Sequence, residues 1–246
     1  MTELSGIAWA ALALAAVAVG VSKAALPGAN TLAIALFAAV LPAKESTGAL
    51  LILLIVGDAF ALWMHRRHAR VRALVPLIPA VLVGLVLGSA FLAFASDAWT
   101  RRVIGIILLL VVGVTLWRRR GADPATAGGG LVAATTYGTL GGFTTMVANA
   151  AGPVMSMYFL AARFPMREFL GTAAWFFAGI NLAKIPFSVG LGIIVPETLL
   201  MDLLLVPGVV AGAFLGRSLL SRLDQRTFER IVIALTVAGA LYLVIA

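Results

Sequence analysis

Eight stretches of this chain are apolar over about the length needed to cross the hydrocarbon core of a lipid bilayer. A helix crosses a core of roughly 30 Å with about 20 such residues. Strands of a membrane barrel would instead appear as short segments of alternating polarity. The pattern therefore predicts an all-α integral membrane protein. The stretches are rich in Leu, Val, Ala and Phe and lie near residues 5–22, 47–64, 74–94, 101–117, 130–147, 169–190, 199–216 and 230–246.

The low content of charged residues excludes a soluble fold. Only 11% of the 246 residues are charged, against about 25% in soluble domains, so a soluble fold could not cover its surface with polar groups. We therefore expect membrane lipids to surround the chain. The absence of cysteine excludes disulfides, thiolate catalysis and cysteine metal sites.

The formal net charge of +8 comes largely from arginines at the ends of the apolar stretches. Membrane topology and anionic lipid headgroups favour arginines at such positions. No basic stretch with interleaved aromatic residues offers a nucleic-acid surface, so we expect no nucleic-acid partner. These arginines are Arg66, Arg67, Arg70, Arg72, Arg118, Arg119, Arg120, Arg217, Arg222, Arg226 and Arg230.

The chain contains two copies of one pattern. Pro42-x-Lys44-Glu45-x-x-Gly48 recurs 123 residues later as Pro165-x-Arg167-Glu168-x-x-Gly171. Pro79-x4-Gly84-x3-Gly88 recurs 128 residues later as Pro207-x4-Gly212-x3-Gly216. Because the matches keep their order, chance repetition of small residues explains them poorly.

We expect ten helical segments in two inverted repeats of five. The first repeat covers residues 1–120, a cytoplasmic linker covers 121–129, and the second repeat covers 130–246. If the arginine clusters of the first repeat are cytoplasmic, the second repeat carries its arginines in the opposite set of loops, with both termini outside. Inverted repeats are typical of transporters with a site near the membrane midplane.

Two segments, 30–41 and 152–162, are too short to cross the bilayer. Each follows a longer helix and a break, at Pro27-Gly28-Ala29-Asn30 and at Asn149-Ala150-Ala151-Gly152-Pro153. We interpret each pair as a hairpin whose tip lies inside the membrane, although both segments of a hairpin could also span it. Asn suits the helix cap and Pro153 the first helical turn. Two helix N-termini would then face the protein centre and form an anion site.

Polar residues within the apolar stretches are the candidate site residues. Lys184 either binds an anion or extends toward the headgroups, and Asn181 shares its helix face. Asp58 aligns with Asn181 and either accepts protons or pairs with Lys184 or Lys23. Thr172 is a candidate hydrogen-bond donor to an oxyanion, although Thr in membrane helices more often bonds its own backbone.

The sequence contains no catalytic constellation. The two histidines, His65 and His68, lie in an arginine-rich loop, which makes a metal site improbable. No two carboxylates share a helix face at depth. We therefore expect neither an enzyme, nor a cofactor, nor a bound metal.

Three motifs resemble the TauE/SafE sulfite exporter family. They are Gly142-Phe143-Thr144-Thr145-Met146-Val147-Ala148-Asn149-Ala150-Ala151-Gly152-Pro153, then Arg167-Glu168-Phe169-Leu170-Gly171-Thr172-x-Ala174-Trp175-Phe176-Phe177, and Asn181-x-x-Lys184-x-Pro186. The resemblance extends over nearly the whole chain and is most specific in 138–187. It implies a transporter of sulfite, sulfonates or related small anions in the prokaryotic cytoplasmic membrane. The first repeat departs from the family pattern, because Pro27-Gly28-Ala29-Asn30 stands where many members have Gly-x-Gly-Gly-Gly.

The sequence thus predicts secondary transport of a small sulfur-containing oxyanion, with proton-coupled export as one form. The anion would bind Asn30, Asn149, Gly152, Pro153, Thr172, Asn181 and Lys184, with Asp58 as the coupling residue. A membrane-embedded enzyme or assembly factor is the alternative, and an anion channel is the third possibility. A homodimer is compatible with each of them.

Overall fold

The computed structural model describes residues 4–24, 29–119, 131–162, 164–219 and 225–245, which form ten α-helices and no strand. Two 3₁₀ segments, Arg66–His68 and Val71–Leu77, connect the third helix to the fourth. Pro27 and Gly28, the predicted linker 121–129 and Arg163 lie outside the described residues. The helices are α1 (Gly6–Ala24), α2 (Asn30–Val40), α3 (Ala43–His65), α4 (Ile78–Phe94), α5 (Asp97–Arg119), α6 (Leu131–Ala148), α7 (Ala151–Ala161), α8 (Met166–Gly190), α9 (Pro196–Leu219) and α10 (Gln225–Ile245).

The prediction of an all-α membrane protein with ten helical segments is confirmed. Five helical segments among the described residues are long and apolar enough to cross a membrane: α1, α3, α5, α9, and α4 with the 3₁₀ segment before it. The short α2 and α7 have 11 residues each, which gives a length of about 16 Å. That is roughly half of a 30 Å hydrocarbon core.

Proline sets the start of the third helix in each half of the chain. Pro42 precedes α3 with φ of −50° and ψ of 137°, and Pro165 precedes α8 with φ of −57° and ψ of 149°. Glu45 and Glu168 follow in the first helical turn, where the helix dipole favours a carboxylate. The repeated Pro-x-(Lys/Arg)-Glu motif therefore has the same structural role in both halves.

Glycines let two pairs of helices approach closely. α4 packs along α6, and α9 packs along α1. A Cβ atom on Gly84 would lie 2.2 Å from the carbonyl oxygen of Thr139, and one on Gly212 would lie 2.2 Å from that of Val17. Only hydrogen fits in that space. The fourth helix of each half thus packs on the first helix of the other half.

The third helices of the two halves, α3 and α8, pack against each other. α1, α2 and α9 also contact α3, while α10 packs on α5 and α2. One polar contact joins α2 to α10, where the hydroxyls of Thr31 and Thr236 are 3.0 Å apart. This arrangement brings the polar residues of α3 and α8 together inside the bundle.

Candidate functional site

A cavity of about 70 Å³ lies where the ends of α1 and α6, the starts of α2 and α7, and the facing sides of α3 and α8 meet. One water molecule needs roughly 10–15 Å³, so the cavity has room for several waters or one small ion. Its polar lining residues are Ser22, Lys23, Asn30, Asp58, His65, Thr145, Asn149, Ser156 and Asn181, and Gly152 also lines it.

An ion pair joins α1 to α3 in the cavity wall. Lys23 Nζ lies 2.5 Å from Asp58 Oδ1, and the two side chains are 11% and 3% exposed. Asn181 Nδ2 on α8 donates to Asp58 Oδ2 at 2.6 Å. The Lys23 ammonium also lies 5.0 Å from the centroid of the Phe177 ring, which adds a cation–π attraction. The sequence left the partner of Asp58 open, and the structure pairs it with Lys23.

The two predicted hairpin tips touch each other. Asn30 Nδ2, in the first turn of α2, donates to the carbonyl oxygen of Asn149 at 3.0 Å. Asn30 makes no side-chain cap bond to its own helix, and Ala29 is the N-cap residue instead. Asn149 separates α6 from α7 with a left-handed φ of 54°, a conformation that Asn tolerates better than most residues.

Lys184 lies behind this junction and is fully buried. Its Nζ donates to the carbonyl oxygen of Thr145 at 2.7 Å and to Asn149 Oδ1. Because Thr145 belongs to the last turn of α6, the ammonium meets the negative end of the helix dipole. Lys184 does not line the cavity, so in this structure its contacts are with the helix break.

The other predicted binding residues divide into two groups. Asn30, Asn149, Gly152, Asn181 and the coupling candidate Asp58 line the cavity, whereas Pro153, Thr172 and Lys184 do not. Thr172 is buried, and its Oγ1 accepts a hydrogen bond of 2.9 Å from the backbone N–H of Arg70.

The cavity extends from the middle of the bundle toward one end. Its lining residues on α3, which are Leu54, Asp58, Ala61 and His65, follow one helix face over about 16 Å. They end where Arg66 and Arg67 begin. At this end Arg70 Nε forms an ion pair of 2.5 Å with Glu168 Oε2, which ties the segment after α3 to the start of α8. The cavity therefore faces the side that carries the arginine cluster.

The sequence model of the sulfite exporter TauE/SafE family matches residues 12–243 of this chain. The chain belongs to that family. No match is found among curated proteins or among solved structures. As a TauE/SafE protein it is a multi-pass membrane transporter of a sulfur-containing anion and not an enzyme. The resemblance seen in the motifs is thereby confirmed.

In this TauE/SafE protein the structure adds five polar residues that the sequence did not place in the site. Ser22, Lys23, His65, Thr145 and Ser156 all line the cavity. A lysine in the last turn of an apolar helix was a signal for Lys23, because a charge at that depth needs a partner. His65 and Ser156 carried no such signal, since only the packing of α3 and α7 turns them toward the cavity.

Proposed function

We propose that the chain is a secondary transporter that carries sulfite, a sulfonate or a similar small oxyanion through the cavity between the hairpin tips. The observation that carries this proposal is the meeting of two broken helices at a cavity that contains a lysine. The first turn of α7 leaves backbone N–H groups without intrahelical partners, and Gly152 brings this turn to the cavity wall. This helix end gives the cavity the partial positive charge that an anion needs.

The predicted site residues then take two kinds of role. Asn30, Gly152 and Asn181 contact the anion, because they line the cavity. Lys184 and Asn149 hold the α6–α7 break in place through their hydrogen bond. Pro153 orients the first turn of α7, and Thr172 fixes the segment at the cavity mouth.

The same proposal includes proton coupling through Asp58 and export as the physiological direction. Asp58 is the only acidic residue among the described residues that line the cavity. The buried Asp58 carboxylate is paired with Lys23. If Lys23 changes its partner, the affinity of Asp58 for a proton changes.

We further propose that the two halves, residues 1–120 and 130–246, are inverted repeats joined by the linker 121–129. The hydrogen bond between Asp58 and Asn181 supports this division, because the repeat equates these residues and equivalent residues at a two-fold axis must be close. The reciprocal packing of α4 on α6 and of α9 on α1 supports it as well. A homodimer is compatible with this arrangement, and cross-linking of the reconstituted protein measures it.

A flux assay with purified protein in liposomes tests the proposed function. We expect uptake of ³⁵S-sulfite to exceed that of protein-free liposomes and to saturate with concentration. Uptake that rises without saturation and follows the voltage alone would indicate a channel. An absence of flux for sulfite and sulfonates alike would contradict transport and favour the enzyme or assembly-factor alternative.

The variant Ser156→Asp tests whether the cavity is the route. A carboxylate there repels an anion about 4 Å away with roughly 4 kcal/mol at an effective dielectric constant of about 20, so we expect flux to fall at least about tenfold. Ser96→Asp is the matched control. Ser96 is exposed and its Oγ accepts from the Trp99 N–H at the start of α5, a capping role that Asp fills equally well. Equal flux in both variants would exclude this cavity as the anion path.

A further inference from the structure

The ion pair between Lys23 and Asp58 is placed in the cavity that the anion would enter. Among the described lining residues, Lys23 is the only lysine or arginine. The second buried lysine, Lys184, is held by two oxygen atoms of the α6–α7 break. An anion in the cavity therefore has one movable cation to bind, and that cation is already bound to Asp58.

Gly57 on α3 leaves room for the Lys23 side chain. A Cβ atom at Gly57 would lie 2.8 Å from Cγ of Lys23, so the glycine provides the space in which the lysine stem crosses the helix. The ammonium group at the end of this stem is adjacent to Asp58 and to the Phe177 ring. Rotation of the terminal bonds can turn the ammonium toward the cavity while the stem stays in place.

The two oxygens of Asp58 have different partners. Oδ1 binds Lys23, and Oδ2 accepts from Nδ2 of Asn181. The amide of Asn181 carries no charge and can donate to Oδ2 whether or not Asp58 is protonated. If Lys23 leaves, Oδ1 becomes an uncompensated buried carboxylate oxygen, which is strongly unfavourable. Protonation of Oδ1 removes that charge.

From these contacts we propose that Lys23 is shared between Asp58 and the transported anion, so that one proton binds Asp58 for each anion that binds Lys23. The inference rests on the proposed transport function. In the empty carrier Lys23 pairs with Asp58. In the loaded carrier Lys23 pairs with the anion, and Asp58 carries a proton taken from water at the cavity mouth. No other bond is made or broken, and the cavity keeps the same net charge when a monoanion binds.

No other titratable group forms an ion pair with Lys23 among the described residues. Lys184 on α8 interacts electrostatically with both Lys23 and Asp58, but its ammonium is fixed at the α6–α7 break. His65, on the same helix as Asp58, lines the cavity nearer its end. α2, α6 and α7 contain no acidic or basic residue. On α9, Asp202 is buried without a hydrogen-bond partner among the described residues, and it does not line the cavity.

Shared use of Lys23 makes transport a co-transport of one monoanion and one proton, without net charge movement. Export then carries a proton out with each anion, down the gradient of the anion itself. In liposomes, a gradient of one pH unit, acid outside, can support about tenfold accumulation of the anion. A membrane voltage supports none. A carrier that moved the anion alone would show the opposite dependence.

The experiment uses the reconstituted full chain and labelled hydrogensulfite at mildly acidic pH, with voltage clamped by valinomycin and potassium. Protein-free liposomes measure the diffusion of sulfur dioxide. We expect the wild-type protein to accumulate label with the pH gradient and not with voltage. Accumulation driven by voltage but not by the pH gradient would overturn the inference while leaving the transport function intact. An absence of flux in every condition would remove the transport function itself.

The variant Asp58→Asn tests the proton-binding role of Asp58. It keeps the shape of the side chain but cannot take up the proton. We expect it to lose accumulation under the pH gradient, so that any remaining flux no longer depends on that gradient. Asp97→Asn is the matched control, because Asp97 lies at the start of α5 and accepts from the Lys44 backbone N–H, a bond that Asn also accepts. Accumulation by Asp58→Asn at the wild-type level would overturn the inference. If this variant does not fold, the gradient dependence of the wild-type protein remains decisive.

Discussion

At the scale of single residues, Asn149 combines backbone and side-chain roles at the α6–α7 break. Its φ of 54° is left-handed, and its side chain donates to the carbonyl oxygen of Thr47 at 3.0 Å. It also accepts from Lys184, and its own carbonyl accepts from Asn30. One residue thus connects α3, α8 and the first turn of α2 to the point where α7 begins.

Replacing Asn149 by Gly or by Ala separates these two roles. Both variants lose the side-chain hydrogen bonds, but only Ala is strained at positive φ, by about 1–2 kcal/mol. We expect the order of thermal stability in detergent to be wild type, then Asn149→Gly, then Asn149→Ala, with about 1 kcal/mol between the two variants. Equal melting temperatures for the Gly and Ala variants would show that the break does not require a left-handed residue.

The sequence predicted much of the chemistry at this scale but not its pairing. The repeat aligned Asp58 with Asn181, and the helix breaks identified Asn30 and Asn149. The sequence could not decide whether Lys23 or Lys184 binds Asp58, because both are lysines at depth on apolar helices. The choice depends on how α1 and α8 are rotated toward α3, and rotation follows from packing across the whole bundle.

At the scale of helices, the sequence indicated which segments are helical more accurately than where they contact. Apolar length placed eight helices, and the breaks at Pro27-Gly28-Ala29-Asn30 and at Asn149-Ala150-Ala151-Gly152-Pro153 placed the two short ones, since both signals are local. The glycine pairs indicated close packing, but small residues do not specify a partner. Only the structure assigns Gly84 to α6 and Gly212 to α1.

Alanine at these two glycines should be similarly destabilising if the two halves are equivalent. At each position the new Cβ would meet a backbone oxygen at 2.2 Å, so the helices must move apart, at a cost of about 1–3 kcal/mol. Gly113→Ala on α5 is the matched control, because nothing lies within 4 Å of a Cβ there. We expect it to leave stability unchanged or to raise it by up to about 1 kcal/mol. Thermal unfolding in detergent measures all three variants, and tolerance of Gly84→Ala would contradict the described contact between α4 and α6.

At the scale of the whole molecule, the proposed inverted arrangement would assign each loop to a side of the membrane. The segment after α3 carries four arginines, whereas the equivalent segment after α8 carries Glu197 and no basic residue. The positive-inside rule predicts that these two segments lie on opposite sides of the membrane. The repeat also equates the α4–α5 connection with the α9–α10 connection. The same rule predicts that these two connections lie on opposite sides of the membrane. Such an inversion would give the carrier two equivalent halves that could open the cavity to each side alternately.

Cysteine labelling tests this topology directly, because the wild-type chain has no cysteine and each single-cysteine variant has one reactive site. Suitable exposed positions are Val71, Ala98, Glu197 and Ser218. In right-side-out vesicles, an impermeant maleimide should label Ala98→Cys and Glu197→Cys but not Val71→Cys or Ser218→Cys. After permeabilisation it should label all four. Labelling of Val71→Cys and Glu197→Cys from the same side would contradict inversion. If Val71→Cys and Ser218→Cys were labelled from outside and the other two variants were not, the inversion would hold but the orientation would be reversed. The cavity mouth beside Arg70 would then face outward, and the structure would represent the externally open carrier.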